Sequence, residues 1–508
     1  MKRIIGFLFA AILLSISTFA LEVDEPELRG TSTEQIEFIN YTGPHKVIDS
    51  IAAIKAIGST MGETIVPGQP STVGNRQKYF VVHAIDPSET SKLDADILFI
   101  GENATVDHII NLRRIISAYL SAAYKYSEKD ADTLAVFITV YNAVYRGKYD
   151  VFSSKYKNVV MKNLSQNNCG LSTTYKEWPG RSEIVIPLFD VNGGLSTVDT
   201  SVISDTTVVE SMKEDEDKNV DPRKDMVDLK EREAEEASDK AQEAQKKAVE
   251  EQKKLTETQK EAEEARKEAE ENPTEENIKK AEEKEEEVKE QEKKTEEAKE
   301  EAKEQQEIAD KKQNEAQEER KEIAKDQKEV QDKQAEIAKM GSEYGIILSD
   351  EANMLSRLVK FNVEDGTIIK KSPVTEIRNR TVYKTGNQYM AVAGENTGNG
   401  TIKLVLLDDN NMEIVSESNE TLAEDSVLVQ EGEAYYCVIQ DGNNWVVAKY
   451  NSSLVMQLKS PVAVKSSTPI TITDSGLVVT AKNGQLRLLS KADLTSITKE
   501  TSNTVDAK

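Results

Sequence analysis

The chain has 508 residues and a formal net charge of −26, from 91 acidic and 65 basic side chains. This length exceeds what one hydrophobic core supports and predicts about three domains. So acidic a surface repels phosphate groups, which argues against nucleic-acid binding.

Residues 1–20 have the composition of a secretory signal peptide. A basic start at residues 2–3 precedes an apolar run over residues 4–16, and Thr18-Phe19-Ala20 then offers small residues where a signal peptidase cleaves. We therefore predict cleavage after Ala20 and export. An uncleaved N-terminal anchor is the alternative, although the apolar run is short for a membrane span.

The segment 21–188 is predicted to form an α/β or α+β module. Short apolar runs bounded by polar or turn residues predict strands at Tyr79–Ile85, Leu98–Gly101 and Glu183–Leu188. Apolar residues at helical spacing or in longer runs predict helices at Val47–Ile57, Ile109–Ala123, Leu134–Tyr145 and Val151–Leu164. A small sheet carrying these helices would bury their apolar faces.

Residues 189–221 are predicted to be a linker. They carry Gly193-Gly194, then Ser, Thr, Asp and Val without a period, and the acidic run Glu214–Asp217. This composition is typical of a segment that is partly disordered.

Residues 222–340 are predicted to form a long helical rod. Small or apolar side chains recur every seven residues among Glu, Lys, Gln and Asp, in two tracks: Ala234, Ala241, Ala248, Leu255, Ala262 and Ala269, then Ala281, Val288, Thr295, Ala302, Ala309, Ala316, Ile323, Val330 and Ile337. A strict seven-residue track indicates a coiled coil, because it keeps one face turned towards a partner helix.

The rod is predicted to break at residues 272–274, where the two tracks fall out of phase. Asn272 is a preferred N-cap, Pro273 suits the first helical turn and Glu275 stands three residues after the cap, so a second helix is expected to start here. The rod then either folds back as an antiparallel hairpin or kinks and continues. We favour the hairpin, because an alanine seam contributes only about 0.8 kcal/mol per buried methyl and would hold separate chains weakly. A solitary helix with i,i+4 ion pairs and a dimeric coiled coil are the alternatives.

Residues 341–508 are rich in Gly, Asn, Asp, Val and Thr, with a period near two. Four similar hairpins recur, and their turns at Gly366, Asn411, Ser453 and Asp493 are 45, 42 and 40 residues apart. Repeats of about forty residues with three or four strands resemble propeller blades. We predict an all-β, propeller-like repeat domain; a four-bladed ring, an incomplete ring and a β-sandwich all satisfy the pattern.

The candidate site residues lie in the N-terminal module. His83 falls in a predicted buried strand, Asp86 follows this strand, and Asp107 and His108 stand together at a predicted helix start. We name these four as a candidate cleft for acid–base chemistry or ligand binding. Capping of a turn and of a helix are the alternative roles of Asp86 and Asp107. Since no motif for a nucleophile, a phosphate loop or a metal is recognised, we predict no catalytic residues, cofactor or metal.

The two cysteines, Cys169 and Cys437, lie in different predicted domains. Two distant cysteines without a C-x-x-C motif do not form a disulfide framework. We expect two buried free thiols; a bridge between the domains is the alternative in an oxidising compartment.

The N-terminal module has a distinctive sequence in Lys78–Glu89, Leu93–Asp96, Ile100–Ala104, Asp107–His108, Leu134–Gly147, Leu171–Gly180 and Ile184–Leu188. These stretches resemble the large spirochaetal antigen of the Borrelia 83/100 kDa family. The order of signal, module, Lys/Glu-rich rod and β-rich end resembles that family along the whole chain. The resemblance implies an immunogenic, exported envelope protein of a spirochaete, with no established reaction and no catalytic residues to transfer.

These observations together predict a non-enzymatic, exported structural or adaptor protein of the cell envelope, in the periplasm or associated with the outer envelope. Its rod would hold a folded module at each end, and its partners would be other envelope proteins. Self-association through the rod and peripheral membrane association fit the same pattern. The alternative is an envelope hydrolase or ligand-binding protein with its site at the candidate cleft.

Overall fold

A computed structural model describes residues 36–46, 48–191, 193–396 and 400–498. The predicted signal, residues 1–20, lies outside the described residues. Along the chain follow an N-terminal α/β module, two long helices packed together and a C-terminal all-β region, so the predicted order of architectures is confirmed.

The N-terminal module is built on a four-stranded antiparallel sheet. Its strands, in spatial order, are β1 (Ser71–Asn75), β2 (Tyr79–Ala84), β3 (Asp94–Ile100) and β4 (Ser182–Leu188). Its helices are α1 (Ile51–Gly62), α2 (Ile109–Tyr124), α3 (Glu128–Val144), α4 (Tyr149–Lys155) and α5 (Asn158–Met161). As its apolar sequence predicts, α3 is buried on nearly all sides.

Helices α1 and α2 cross with their backbones in contact. A Cβ at Gly58 would lie 2.0 Å from the carbonyl oxygen of Ile115, and one at Gly62 would lie 2.6 Å from that of Tyr119. Only glycine allows so close an approach, so the spacing of these two glycines fixes where α1 rests on α2.

The predicted helix Val151–Leu164 is wrong as a single element. The backbone of Tyr156 is extended and separates α4 from α5. Here Leu93 donates its N–H to the oxygen of Lys155, and Lys157 donates its N–H to the oxygen of Leu93. These bonds to a distant segment replace the helical hydrogen bonds that the local periodicity predicts.

The segment 189–221, predicted to be a linker, instead contains two short helices, α6 (Thr200–Ile203) and α7 (Thr206–Lys213). Asp199 and Asp205 cap their N-termini through side-chain hydrogen bonds. The segment contributes four residues to the core of the N-terminal module: Val198, Ile203, Val208 and Met212. Apolar burial, which its polar composition conceals, therefore orders it.

The rod is an antiparallel helical hairpin of α8 (Val220–Glu271) and α9 (Glu275–Ile337). In mid-hairpin the two arms meet through four buried alanines, Ala244, Ala248, Ala298 and Ala302. Near the base Val220 and Val227 pack against Ile323 and Val330. Thr274, two residues later than the predicted cap, accepts the N–H of Asn277 and starts the second arm.

The hairpin returns the chain to its starting point, so the expectation of one module at each end of a rod is wrong. Among the described residues, the outermost contacts between the hairpin and the N-terminal module are the hydrogen bond from Thr200 to Glu233 and the cation–π contact of Lys312 with Phe189. Beyond them the arms, residues 235–311, extend about 55 Å at 1.5 Å per residue. The β domain, which follows α9, contacts the N-terminal module directly: Thr401 donates its N–H to the oxygen of Pro44.

The C-terminal domain contains three antiparallel sheets. The first has seven strands: β5 (Ser342–Asp350), β6 (Leu355–Asn362), β7 (Ile368–Lys371), β8 (Ile377–Thr385), β9 (Gln388–Ala393), β10 (Lys403–Asp408) and β11 (Ile414–Glu417). The second has β12 (Val429–Glu431), β13 (Ala434–Asp441), β14 (Asn444–Tyr450) and β15 (Met456–Val464). The third has β16 (Thr471–Thr473), β17 (Gly476–Thr480) and β18 (Leu486–Leu489).

The sequence repeats stack on one another but do not close into a propeller ring, which was one of the arrangements that the repeat pattern allowed. On β9, Tyr389 belongs to the apolar core formed by the two repeats of the first sheet. Its neighbour Met390 points to the opposite face and belongs to the core between the first and second sheets. A third core joins the second and third sheets. No apolar cluster of the described residues joins the last sheet to the first. The pair Ser356 and Ile377 instead links the first two repeats into one sheet, which leaves an open stack.

Candidate functional site

The four residues of the predicted cleft lie at two separate locations. Asp86 caps the turn after β2, where its carboxylate accepts the backbone N–H of Ser88 at 2.9 Å. His108 is the N-cap of α2 and accepts the N–H of Ile110 at 3.1 Å. Among the described residues, no hydrogen bond or ion pair joins His83 or Asp86 to Asp107 or His108. A ligand role for any of them stays a prediction.

Asp107 belongs to the contact between the N-terminal module and the β domain. Its carboxylate lies 3.2 Å from Nδ1 of His45, and this hydrogen bond raises the pKa of His45. His45 itself forms a β-bridge with Gly400 of the β domain. By contrast, burial lowers the pKa of His108.

His83 lies in a buried polar network with Asp96 of β3. Its Nδ1 is 2.5 Å from one carboxylate oxygen of Asp96, and the two residues are 1% and 0% exposed. Tyr119 and Tyr124 each donate a hydroxyl hydrogen bond of 2.5 Å to the other oxygen. Burial, and next the charge of Asp96, raise the pKa values of both tyrosines well above their ordinary value. Both hydroxyls therefore remain protonated donors that fix this carboxylate.

Ser71 lies beside this network, on the neighbouring strand of the sheet. In the strand register Ser71 is opposite His83, and His83 is opposite Asp96, so the three form one row over β1, β2 and β3. Directly opposed side chains stand on the same face with their Cβ atoms about 5 Å apart. Ser71 Oγ and His83 Nε2 are both buried, and neither has a hydrogen-bond partner among the described residues.

Ser71, Asp96 and both tyrosines are not among the site residues that the sequence predicts. The strand β1, Ser-Thr-Val-Gly-Asn, has too few apolar residues to be predicted. Asp96 offered a signal, because it lies inside β3, whose residues after Asp94 are otherwise apolar. A carboxylate in such a run needs buried donors, and that requirement points to a polar network.

A cleft of about 690 Å³ opens beside this network. Its lining includes Ile65 after α1, Tyr124 at the end of α2, Tyr126 just after it, and Asp130 in α3. Tyr124 joins the cleft to the network, since it lines the one and hydrogen bonds to Asp96 in the other. The described residues contain no group of three or more His, Cys, Asp or Glu that could hold a metal ion.

The hairpin arms form a second candidate surface. Residues 235–311 carry 29 acidic and 17 basic side chains, a net charge of −12. Every hydrogen bond and ion pair of the described residues in this range stays within the hairpin. The outward faces therefore present a surface of mostly negative charge.

The model of the Borrelia P83/100 protein family matches residues 26–288 and 270–470. The chain belongs to this spirochaete 83/100 kDa antigen family. A search of curated proteins found no significant match. Membership of the Borrelia P83/100 family suggests an antigen with surface or envelope exposure. None of the helices in the described residues combines the length and hydropathy that a membrane span requires.

Proposed function

We propose that this member of the Borrelia P83/100 family is an exported adaptor of the cell envelope, in which the helical hairpin contacts other envelope proteins. The observation that carries the proposal is the extension of the arms, about 55 Å beyond the last polar contact with the N-terminal module. Both modules lie at the base and touch each other, so the hairpin is not needed to separate them.

The chemistry of the arms indicates what kind of partner they contact. Most alanines of the arms are packed in the seam between α8 and α9, as at Ala241 and Ala309. Most of the outward residues are charged, although Val249 and Ile278 are also exposed. Exposed intrahelical pairs such as Lys294 with Glu290 contribute little to stability. A surface of net charge −12 attracts a basic protein surface, and salt should weaken that attraction.

The test is a shortened hairpin that keeps the tip, the base and the register of the seam. Deleting 242–269 together with 277–304 removes four heptads from each arm. The register of the seam is kept, because residues that face each other across it are removed together. The change shortens the hairpin by about 40 Å and leaves Glu233, Lys312 and the turn at residues 272–274 in place. Residues 21–508 with either hairpin would be crosslinked to solubilised envelope fractions.

We expect the full-length hairpin to capture basic envelope proteins and the shortened hairpin to lose them. We also expect capture to fall when the salt concentration rises from 50 to about 500 mM, where charges are screened within a few ångströms. If both hairpins capture the same proteins, the arms are not the contacting surface. If neither captures any envelope protein, the adaptor proposal itself is wrong.

The proposed compartment needs its own experiment. Protease added to intact cells should cut the exposed arms if the protein lies on the outer surface, and only after permeabilisation if it lies in the periplasm. Cleavage in neither case, with the protein recovered in the cytoplasmic fraction, would contradict export.

A further inference from the structure

We propose that Ser71, His83 and Asp96 form an acyl-transfer site, in which Ser71 is the nucleophile and small carboxylic esters are the substrates. The row supplies the three groups in the order that such chemistry requires: a hydroxyl, an imidazole and a carboxylate. This inference is independent of the hairpin and of any partner that it binds.

The orientation of His83 supports the assignment. Asp96, on one side of β2, holds Nδ1 at 2.5 Å, which makes this nitrogen the protonated one. The other ring nitrogen, Nε2, is consequently the free base and is turned away from Asp96. Ser71 stands on the opposite side of β2 in the same row. The proposal requires Ser71 Oγ to reach Nε2 when a substrate is bound.

The two unpaired atoms are the most informative feature of the row. A buried polar atom without a partner costs about 1–3 kcal/mol, and here two such atoms belong to neighbouring side chains. A purely structural arrangement would pair them or place an apolar residue at one position. The competing explanation is one buried water that bridges Ser71 and His83. Such a water would leave Ser71 unreactive, so the two explanations differ in a measurable property.

Asp96 is a positioning residue in this proposal. Its second oxygen accepts hydrogen bonds from Tyr119 and Tyr124, so the carboxylate cannot turn away from His83. Tyr124 also lines the cleft of about 690 Å³, which is large enough for a small ester. Ser71 lies on β1, the five-residue edge strand of the sheet.

The reaction would proceed in two balanced halves. Ser71 Oγ attacks the ester carbonyl carbon and its proton passes to Nε2 of His83. The carbon–oxygen bond to the alcohol then breaks, the alcohol takes that proton, and the acyl group remains on Ser71. Water, deprotonated by the same nitrogen, attacks the acyl-serine, and the proton returns to Oγ as the carboxylic acid leaves.

The test uses residues 21–508 and a fluorophosphonate probe, with the labelled residue located by peptide mass spectrometry. We expect the probe on Ser71, no label in Ser71→Ala, and labelling slowed about 100-fold or more in His83→Gln, because a positioned general base contributes at least that much. Thr72→Ala is the matched control: this residue is the next one on β1, is exposed, and should leave labelling unchanged.

Hydrolysis of p-nitrophenyl acetate tests the role of Asp96. Asp96→Asn should lower kcat while KM is unchanged, provided that circular dichroism shows the native fold. The proposal is overturned if the unmodified protein takes no label, if the label lies elsewhere, or if folded His83→Gln is labelled as fast as the unmodified protein. The first two outcomes favour the bridging water, and the third shows that His83 does not activate Ser71.

Discussion

Arg232 of α8 donates hydrogen bonds to both carboxylate oxygens of Asp130 in α3, one of them from Nη1 at 3.0 Å. This pair joins the base of the hairpin to the N-terminal module. Asp130 is 5% exposed, so its charge depends on this guanidinium and on the hydroxyl of Ser127. The position of the hairpin therefore rests on a specific, directional contact in addition to apolar packing.

We predict that Arg232→Met destabilises the base of the hairpin by about 1–3 kcal/mol, because it leaves Asp130 buried without its main partner. Arg266→Met is the control, since Arg266 lies far out on the arm and, among the residues that the structure describes, forms an ion pair only with Glu270 of the same helix. Urea unfolding followed by circular dichroism would measure both. Equal losses in the free energy of unfolding would show that the contact with Asp130 contributes no more to stability than an exposed ion pair.

The same pair predicts a dependence on pH. The hydrogen bond from Arg232 lowers the pKa of Asp130. A carboxyl group whose pKa is depressed in the folded state stabilises it above its unfolded pKa of about 3.9, and this contribution is lost as pH falls through the folded value. The stability difference between the unmodified protein and Arg232→Met should accordingly be constant above about pH 5 and shrink below about pH 4. A difference that grows in acid would contradict this assignment.

The alanine seam should not tolerate a charge. Ala302→Glu would place a carboxylate against Ala244 and Ala248, and we expect a loss of about 2–4 kcal/mol with local separation of the arms. Ala335→Glu introduces the same side chain at an exposed position of α9 and should change stability by less than about 0.5 kcal/mol. Hydrogen exchange of the arms, measured by mass spectrometry, would compare the two. Unchanged protection in Ala302→Glu would contradict the packed seam.

The contact between the two modules should weaken as pH rises. The pKa of His45 is raised first by its hydrogen bond with Asp107, while Glu417 raises it and Lys403 lowers it at longer range. A raised histidine pKa means stability that is fully present below the unfolded pKa of about 6.5 and is lost as pH rises through the folded value. Thermal unfolding between about pH 5.5 and 8.5 should show this loss.

Two variants separate that effect from general titration. His45→Gln should remove the His45 contribution to the pH dependence, whereas Lys46→Gln, at the exposed neighbouring position, should retain it. The same pH dependence in both variants would mean that another group is responsible.

The two thiols should be unreactive in the folded protein. Cys169 and Cys437 are buried and free, and burial raises the pKa of each. Because the thiolate is the reactive form, we expect negligible maleimide labelling in buffer and complete labelling of both thiols in guanidinium chloride without a reductant. Failure to label in denaturant would instead indicate a bridge between them.

The sequence predicted structure correctly where apolar residues recur at a regular spacing or form a long run. The seven-residue tracks and the turn at residues 272–274 predicted the hairpin, and the apolar run of α3 predicted a buried helix. The order of three architectures followed from composition, because each has its own ratio of apolar, charged and turn residues.

Contacts between distant segments could not be predicted in this way. Leu93 splits a periodic helix at Tyr156 by backbone pairing, which leaves no trace in the local pattern. The row of Ser71, His83 and Asp96 depends on the register of three strands, one of them too polar to be predicted. Closure of the β repeats depends on the angles between successive sheets, which the repeat length does not encode.

The return of the second arm to the base has a consequence for how such a chain can vary. Insertion or loss of seven residues in one arm, matched by seven in the other, moves the tip by about 10 Å and leaves the entry and exit points unchanged. Relatives can therefore differ greatly in length and reach while both modules keep the same mutual arrangement. Unmatched changes would instead place charged side chains in the seam, so selection should favour insertions and deletions that occur in pairs.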